Sequence, residues 1–258
     1  MNSTTSEKST GCSRSRRLYE QYPFGRFCYG AVRDRHNRPL LDFLASLSGQ
    51  ECVLDVGCGA GYWLEKCRAL STSPQRLVGV ETSPARCAEL GRRGFSMVCG
   101  DALRLGLRDG CADAVVCNGV IHHTPDPFRA FQELVRTIRP GGRIFLAVYF
   151  RWNPYFWLVH RAMFPLRWAY WRWGEWVADA AQAVARPFYQ VLALLVFGRR
   201  LDDATGRALL MDQVMTPYAA LFGRADLRRY AERCGCILSA VRLTGDGMML
   251  TAVFTKRR

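Results

Sequence analysis

Residues 53–61, VLDVGCGAG, constrain the fold of this chain more than any other segment. They begin with an apolar run typical of a strand that is covered on both faces. Gly57, Gly59 and Gly61 then permit backbone conformations and close approaches that other residues cannot make, so the loop can surround a ligand with its amide groups. The spacing is GxGxG, with Tyr62 where a dinucleotide fingerprint has its third glycine. The segment predicts a loop that binds a nucleotide-like cofactor and makes the pyrophosphate of a dinucleotide the weaker candidate. The alternative is a plain strand-to-helix turn.

Three further predicted strands also end on polar residues. They cover residues 76–81, 95–101 and 112–120. Glu81 ends the first, at roughly the interval after the glycines at which an acid binds ribose hydroxyls in nucleotide-binding units. Asp101 and Asn118 end the other two, although Gly-Asp after a strand is also an ordinary turn or helix cap. Ligands bind at this edge of open α/β sheets, so the three side chains are expected to face one site.

The order of these motifs resembles a known family. DVGCGAG, VGVE, GDA and NGVIHH, followed by RPGG and the strand RIFLAVY, resemble the motifs of class I S-adenosylmethionine-dependent methyltransferases, especially the branch that acts on quinones, lipids and other small molecules. The resemblance covers residues 50–150, with a weaker match at 223–256. It implies S-adenosylmethionine as cofactor and an α/β, Rossmann-like fold: a seven-stranded, mostly parallel sheet with an antiparallel last strand and, in this chain, a helical insert after strand five.

The resemblance also implies a set of cofactor-binding residues. They are Asp55, Gly57, Cys58, Gly59, Gly61, Glu81, Thr82, Asp101, Ala102, Asn118 and Gly119. Asp55 and the glycine loop are expected at the methionine part of the cofactor, and Glu81 at the ribose. Asp101 and Ala102 are expected at the adenine, and Asn118 beside the reactive sulfonium.

Length and composition favour one α/β domain with a sizeable insertion. The chain has 258 residues, of which 49% are hydrophobic, so it can bury a substantial core. The predicted divisions are a disordered basic tail (1–17), the cofactor-binding core (18–150), an aromatic and basic helical insert (151–222), and a C-terminal helix and hairpin that complete the core (223–258).

Cysteine usage favours a reducing compartment and no metal site. The eleven cysteines form no CxxC pair, and the N-terminal residues lack the apolar stretch of a signal peptide. We therefore predict a cytoplasmic protein with free thiols. Cys58, inside the glycine loop, is interpreted as a small side chain packed beneath the turn rather than as a nucleophile.

The insert is the unusual part of the sequence. Six of the seven tryptophans lie in residues 151–222, interleaved with arginines, and an aliphatic stretch follows at 191–197. No uncharged run there reaches about 18 residues, so none is expected to span a bilayer. Four interpretations remain open: a lid that encloses a lipophilic acceptor, an interfacial membrane anchor, a surface that stacks on RNA, or a cap that packs its tryptophans against itself. We favour the lid and the anchor together.

Candidate catalytic and lid residues flank the expected acceptor position. His122 and His123 follow the fourth predicted strand, where a histidine can take a proton near neutral pH. The resemblance favours His123, and capping of the next helix is an equal alternative for each. The lid candidates are Tyr19, Tyr22, Trp152, Tyr155, Asp212 and Tyr218. Core packing by neighbouring methionines is the alternative for the segment that contains the last two, and His160 is expected at the surface.

We therefore predict a methyltransferase, docked on a membrane surface, that methylates an oxygen, carbon or nitrogen of a lipophilic small molecule such as a natural product, a quinone precursor or a lipid. The net charge of +14 keeps nucleic acid open as a partner, so RNA methylation is the second hypothesis. A catalytically silent scaffold of the same fold, recruiting partners to membranes, is the third. The sequence leaves the oligomeric state open.

Overall fold

A seven-stranded sheet organises the computed structural model, which describes residues 14–22, 34–47, 52–69, 76–197 and 200–258. The strands are β1 (Cys52–Val56), β2 (Arg76–Glu81), β3 (Ser96–Cys99), β4 (Ala112–Asn118), β5 (Ile138–Tyr149), β6 (Cys236–Leu243) and β7 (Met249–Lys256). Their order in the sheet is β3-β2-β1-β4-β5-β7-β6. Neighbouring strands are parallel except at β7, which runs antiparallel to both β5 and β6. This arrangement confirms the predicted fold class.

Besides a short helical stretch at 34–36, ten helices of seven residues or more accompany these strands in the described part of the chain. They are α1 (14–21), α2 (Arg38–Ala45), α3 (Tyr62–Arg68), α4 (Pro84–Arg92), α5 (Pro127–Thr137), α6 (Pro154–Ala162), α7 (Phe164–Trp173), α8 (Glu175–Phe197), α9 (Asp203–Leu210) and α10 (Arg224–Arg233). A 3₁₀ turn, Ile121–His123, follows β4, and a π-helical segment, Met211–Met215, continues α9.

Helix α5 shows how the hydrophobic pattern builds the core. Phe131 and Leu134 are fully buried and belong to the main cluster between this helix and the sheet. The helix ends at Thr137, because Ile138 already pairs with Ala112 in β4. A proline at 140 also disfavours helical backbone in the residue before it.

The N-terminal segment differs from its prediction. Residues 14–17 were expected to belong to a disordered tail, yet they form the first turns of α1. Leu18 is buried among residues of the insert, and the guanidinium of Arg14 lies 5.6 Å from the ring centroid of Trp171. This packing stabilises the helix. Residues 1–13 lie outside the described part of the chain.

The helical insert, which was predicted after strand five, leaves and rejoins the sheet at adjacent backbone positions. The amide of Phe222 donates to the carbonyl of Tyr149 (2.9 Å), and the amide of Arg151 donates to the carbonyl of Phe222 (2.9 Å). Among the described residues, no helix is both long and apolar enough to cross a membrane. The insert packs over the carboxyl edge of the sheet.

Arg207 connects the insert to α1. It forms ion pairs with Glu175 (2.9 Å) and Asp179 (3.0 Å), and it donates to the hydroxyl of Tyr22 (3.4 Å). Burial alone would raise the pKa of Glu175, but hydrogen bonds from Tyr22, Tyr170 and Arg207 outweigh it and lower that pKa. A single arginine thus fixes α1, α8 and α9 relative to one another.

Candidate active site

A cavity of about 1440 Å³ lies between the carboxyl edge of the sheet and the insert. Ten of the predicted cofactor-binding residues line its sheet side: Asp55, Gly57, Cys58, Gly59, Glu81, Thr82, Asp101, Ala102, Asn118 and Gly119. The opposite wall is largely apolar and includes Val177, Ala181, Val184, Ala185, Leu209 and Val214. The cavity is therefore polar at one end and apolar at the other.

Gly57 makes the turn out of β1 possible. Its φ is +71°, and a Cβ atom there would lie 2.3 Å from Cγ2 of Val120. The amides of Gly57 and Cys58 both donate to the carbonyl of Val80, at 2.8 and 3.2 Å. Burial raises the pKa of the Cys58 thiol, so this side chain is a neutral packing group, in line with its interpretation from sequence.

Glu81 is held as an oriented carboxylate at the polar end. It is 9% exposed and accepts three backbone hydrogen bonds, from the amides of Gly59 (3.0 Å), Thr82 (2.9 Å) and Ser83 (3.1 Å). Oε1 accepts two of these bonds and Oε2 accepts one, so the remaining lone-pair capacity for a ligand lies mainly at Oε2. At Gly59 a Cβ atom would meet nothing within 4 Å, so the loop borders open space beside the carboxylate.

Asn118 offers a second acceptor for a ligand. Its Oδ1 is buried and has no hydrogen-bond partner among the described residues. Buried polar atoms are rarely left without a partner, so this oxygen fits a ligand that brings its own donor, such as an ammonium group. The adjacent Gly119 has a φ of +83° and donates its amide to the carbonyl of Ala147 (3.0 Å).

Asp101 lies in a turn after β3 and also faces the cavity. Its Oδ1 accepts from the amide of Leu103 (2.8 Å), which is the ordinary turn interaction expected after a strand. Asp101 and Ala102 also line the cavity beyond Glu81.

His123 lines the cavity, and each of its two ring nitrogens has a defined neighbour. Nδ1 is 2.9 Å from the carbonyl of Tyr218, which can only accept, so Nδ1 carries the proton in the neutral ring. Nε2 is then the basic nitrogen, and it lies 3.8 Å from Oδ1 of Asp212. Asp212 accepts hydrogen bonds from the hydroxyls of Tyr19 (3.0 Å) and Tyr149 (3.3 Å).

His122 and His160 are neutral neighbours of this group. Burial, assisted by the nearby rings of His123 and His160, lowers the pKa of His122 well below its ordinary value. Neither ring nitrogen of His122 has a hydrogen-bond partner among the described residues. His160 was expected at the surface, but it stacks on Phe156, and burial with the charge of Arg167 lowers its pKa to about 4.

Four predicted residues do not line the cavity. Gly61 starts α3 with a φ of +78°, and a Cβ there would meet Leu90, so its place is explained by packing. Tyr22 bonds Glu175 and Arg207 instead, and Trp152 is 74% exposed. Tyr218 contributes its backbone carbonyl to His123.

The remaining lid candidates, Tyr19, Tyr155 and Asp212, do line the cavity. Tyr155 also donates a hydrogen bond to Gln213. Of the six tryptophans in the insert, Trp176 lines the cavity, where all were expected to contribute to a lid. Trp171 instead donates its indole N–H to the carbonyl of Met215.

Sequence reasoning missed Tyr149 and Thr216. Tyr149 ends β5 and stacks near His122, with ring centroids 3.9 Å apart. Thr216 is buried with its hydroxyl 3.3 Å from Nδ1 of His123. The polar end of strand RIFLAVY was an available signal for Tyr149; no local pattern marks Thr216.

Comparison with known proteins agrees with this architecture. Residues 54–146 match the family model for the methyltransferase domain. A Mycobacterium sp. (strain JLS) protein described as an uncharacterised methyltransferase is 32% identical over 141 residues, covering 50% of this chain and 54% of that protein. The tRNA (carboxymethyluridine(34)-5-O)-methyltransferase ALKBH8 of Macaca fascicularis is 34% identical over 113 residues, covering 43% of this chain and 16% of that protein. This chain thus spans about half the relative's length in one case and less in the other.

A solved structure shares the fold across most of the chain. Burkholderia thailandensis 1,6-didemethyltoxoflavin-N1-methyltransferase, with bound 1,6-didemethyltoxoflavin and S-adenosylhomocysteine, has a TM-score of 0.53 and 17% sequence identity. The match covers 89% of this chain and 86% of that one.

The neutral histidines predict a pH-dependent stability. In the unfolded chain they protonate near pH 6.5, whereas burial keeps them neutral in the fold. The stability that they contribute is complete above that pH and is lost as pH falls towards 4, because the unfolded state then binds more protons. Urea unfolding at pH 7.5 and 5.0 measures the loss. His160→Gln, which can still accept from Arg167, should lose less stability over this interval than the wild type; an equal loss would contradict the assignment.

Proposed function

We propose that this chain, a class I S-adenosylmethionine-dependent methyltransferase, transfers a methyl group from that cofactor to an oxygen, carbon or nitrogen atom of a lipophilic small molecule. One observation carries the proposal: a single cavity joins a polar end, built from the strand-end residues, to an apolar end walled by the insert. The two ends suit a nucleoside cofactor and an apolar acceptor.

The residues at the polar end fit S-adenosylmethionine, which when bound supplies a methyl group on a positively charged sulfur. Glu81, oriented by three amides, would accept hydrogen bonds from the ribose hydroxyls. The unpartnered Oδ1 of Asn118 would accept from the ammonium of the methionine part. Asp101 and Ala102, farther along the same edge, would border the adenine.

The size of the cavity supports a second ligand beside the cofactor. Its volume of about 1440 Å³ exceeds the range of roughly 300–1,000 Å³ that is usual for a single small-molecule site. The wall on the insert side includes Val177, Ala181 and Leu209, which offer no hydrogen bond to a polar acceptor. A molecule with a substantial hydrocarbon part fits this end.

His123 is placed to take a proton from the acceptor. Its Nδ1–H is fixed on the carbonyl of Tyr218, which leaves the lone pair of Nε2 available in the cavity. Once protonated, the ring would be stabilised by the carboxylate of Asp212 at 3.8 Å. Tyr19 and Tyr149 keep that carboxylate in place, and burial raises the pKa of both phenols, so they remain neutral donors.

RNA methylation is supported by several relatives whose names give a tRNA substrate, among them the protein of Macaca fascicularis. The aligned part of that relative is 16% of its length, and the apolar wall of the cavity offers little to a phosphate backbone. These facts favour the lipophilic acceptor over RNA. A silent scaffold would bind the cofactor without turning it over, and the activity measurements below separate it from an enzyme.

Cofactor binding is tested by calorimetric titration with S-adenosylhomocysteine. We expect micromolar affinity for the wild type and at least a roughly ten-fold loss for Glu81→Gln, because a charged hydrogen-bond acceptor is worth about 1.5–3 kcal/mol. Glu232→Gln is the matched control: Glu232 is exposed on α10 and does not line the cavity. Equal affinity in the wild type and Glu81→Gln would disprove the ribose assignment.

The base is tested by His123→Gln. The variant should bind S-adenosylhomocysteine normally, whereas its turnover of a phenolic acceptor should fall by about 10²–10⁴-fold, the usual contribution of a positioned base. The fall should be largest below the pKa of the phenol, where the acceptor still holds its proton. An unchanged rate would exclude His123 as the base.

The acceptor class is tested with a phenol that carries a long alkyl tail and the same phenol without it, following release of S-adenosylhomocysteine. The tailed phenol should be preferred in kcat/KM by at least about ten-fold, since each buried methylene contributes about 0.8 kcal/mol. Ala185→Trp, which fills the apolar end, should remove the preference. Ala183→Trp, an exposed position on the same helix outside the cavity, should keep it. No preference in the wild type would reject a lipophilic acceptor.

A further inference from the structure

Helix α8 presents its large apolar side chains to solvent. Those of Trp176, Val184, Phe188, Val191 and Leu194 are between 43% and 81% exposed. They recur at helical spacings, so they form one stripe along the helix. A helix on a protein surface normally turns such a stripe towards the core.

The charged residues of α8 lie on another side and are paired with α9. Glu175 and Asp179 form ion pairs with Arg207 of α9, at 2.9 and 3.0 Å. Arg186 forms an ion pair with Asp203, at 3.1 Å. Because these are all the charged residues of α8, the charged side of the helix faces α9 and the apolar stripe lies on another side.

Tryptophans of α7 extend this stripe. The ring of Trp173 lies 6.3 Å from that of Trp176 and 5.4 Å from that of Trp168, measured between centroids. All three are more than half exposed. We call the α8 stripe together with Trp168 and Trp173 the aromatic face.

Two exposed arginines accompany the aromatic face. Arg161 on α6 lies over the exposed ring of Trp157, at 5.5 Å, and Arg172 is exposed on α7 beside Trp173. Neither has a carboxylate partner among the described residues. The insert therefore carries unpaired positive charge on α6 and α7 in addition to the aromatic and aliphatic side chains of the face.

We propose that the aromatic face docks on the surface of an anionic phospholipid bilayer. Tryptophan concentrates at the level of lipid headgroups, and arginine is attracted to anionic lipids. The net charge of +14 acts in the same direction over a longer range.

The composition of the face favours lipid over other partners. Val184, Val191 and Leu194 suit hydrocarbon but offer no ring on which a nucleobase can stack. A second copy of the chain would bring the positive charges of Arg161 and Arg172 towards those of its partner, which opposes a symmetric dimer.

Docking would place the mouth of the cavity on the bilayer. Trp176, Val184 and Phe188 are exposed on the aromatic face and also line the cavity. An apolar acceptor dissolved in the membrane would then enter the cavity without crossing water. This step rests on the proposed function, whereas docking itself does not.

The test is co-sedimentation of the full chain with vesicles of phosphatidylcholine alone and of phosphatidylcholine mixed with an equal part of phosphatidylglycerol. We expect binding to the mixed vesicles, lost at least about ten-fold in the double variant Trp168→Gln, Trp173→Gln. Ile237→Gln with Leu243→Gln removes two exposed apolar side chains from β6 instead, and should bind like the wild type.

Charge is tested in the same way. Arg161→Gln with Arg172→Gln should lower affinity for the mixed vesicles about five-fold per arginine, with little change for phosphatidylcholine alone. Arg228→Gln with Arg229→Gln removes the same charge from exposed positions on α10 and should have a smaller effect.

Three outcomes would overturn the proposal. One is absence of wild-type binding to the mixed vesicles, and another is equal binding by the tryptophan variant. The third is tryptophan-dependent binding of a single-stranded RNA, or tryptophan-dependent dimerisation, in a protein that does not bind vesicles. Calorimetry with S-adenosylhomocysteine on the same variants keeps this question apart from cofactor binding, because the substituted residues lie outside the cavity.

Discussion

The turn at Gly57 is the constraint on which the polar end of the cavity depends. Here the chain must leave the centre of the sheet and start a helix, while its amides bond the carbonyl of Val80 on the neighbouring strand. Val120, from the end of β4, occupies the space that a side chain at 57 would need. The ends of β1, β2 and β4 are thereby fixed at one point, and the amide of Gly59 orients the carboxylate of Glu81 beside it. One residue without a side chain makes three strand ends converge.

The group around His123 is assembled differently, from parts of the chain that meet only in the folded protein. Tyr19 comes from α1, Tyr149 from β5 and Asp212 from the insert, and the two phenols bond the same carboxylate. The ring of His123 donates its Nδ1–H to the backbone carbonyl of Tyr218, near the C-terminal end of the insert. The ion pairs of Arg207 with Glu175 and Asp179, together with its hydrogen bond to Tyr22, fix the position of α1 against the insert. They thereby help to hold Tyr19 and Asp212 close to His123.

The sequence predicted the sheet side of the site well because its signals are local. A strand, a glycine turn and a strand-end acid each occupy a few consecutive residues, and parallel strands bring their ends to one edge. The contact of His123 with Asp212 depends on how the insert folds back, which no short pattern encodes. The tryptophans show the same limit: their spacing fits either an enclosing lid or an outward face, and the placement of their rings depends on how the helices of the insert pack.

The insert begins and ends at neighbouring backbone atoms, with Phe222 bonded to both Tyr149 and Arg151. A segment that departs from and returns to one point of a sheet can change in length and content without altering the strands beneath it. This segment carries the apolar wall of the cavity and also the carboxylate beside His123. Exchange of the insert between related chains would therefore exchange the apolar wall of the cavity and the carboxylate beside His123 together. The strands that carry the polar end of the cavity would stay unchanged.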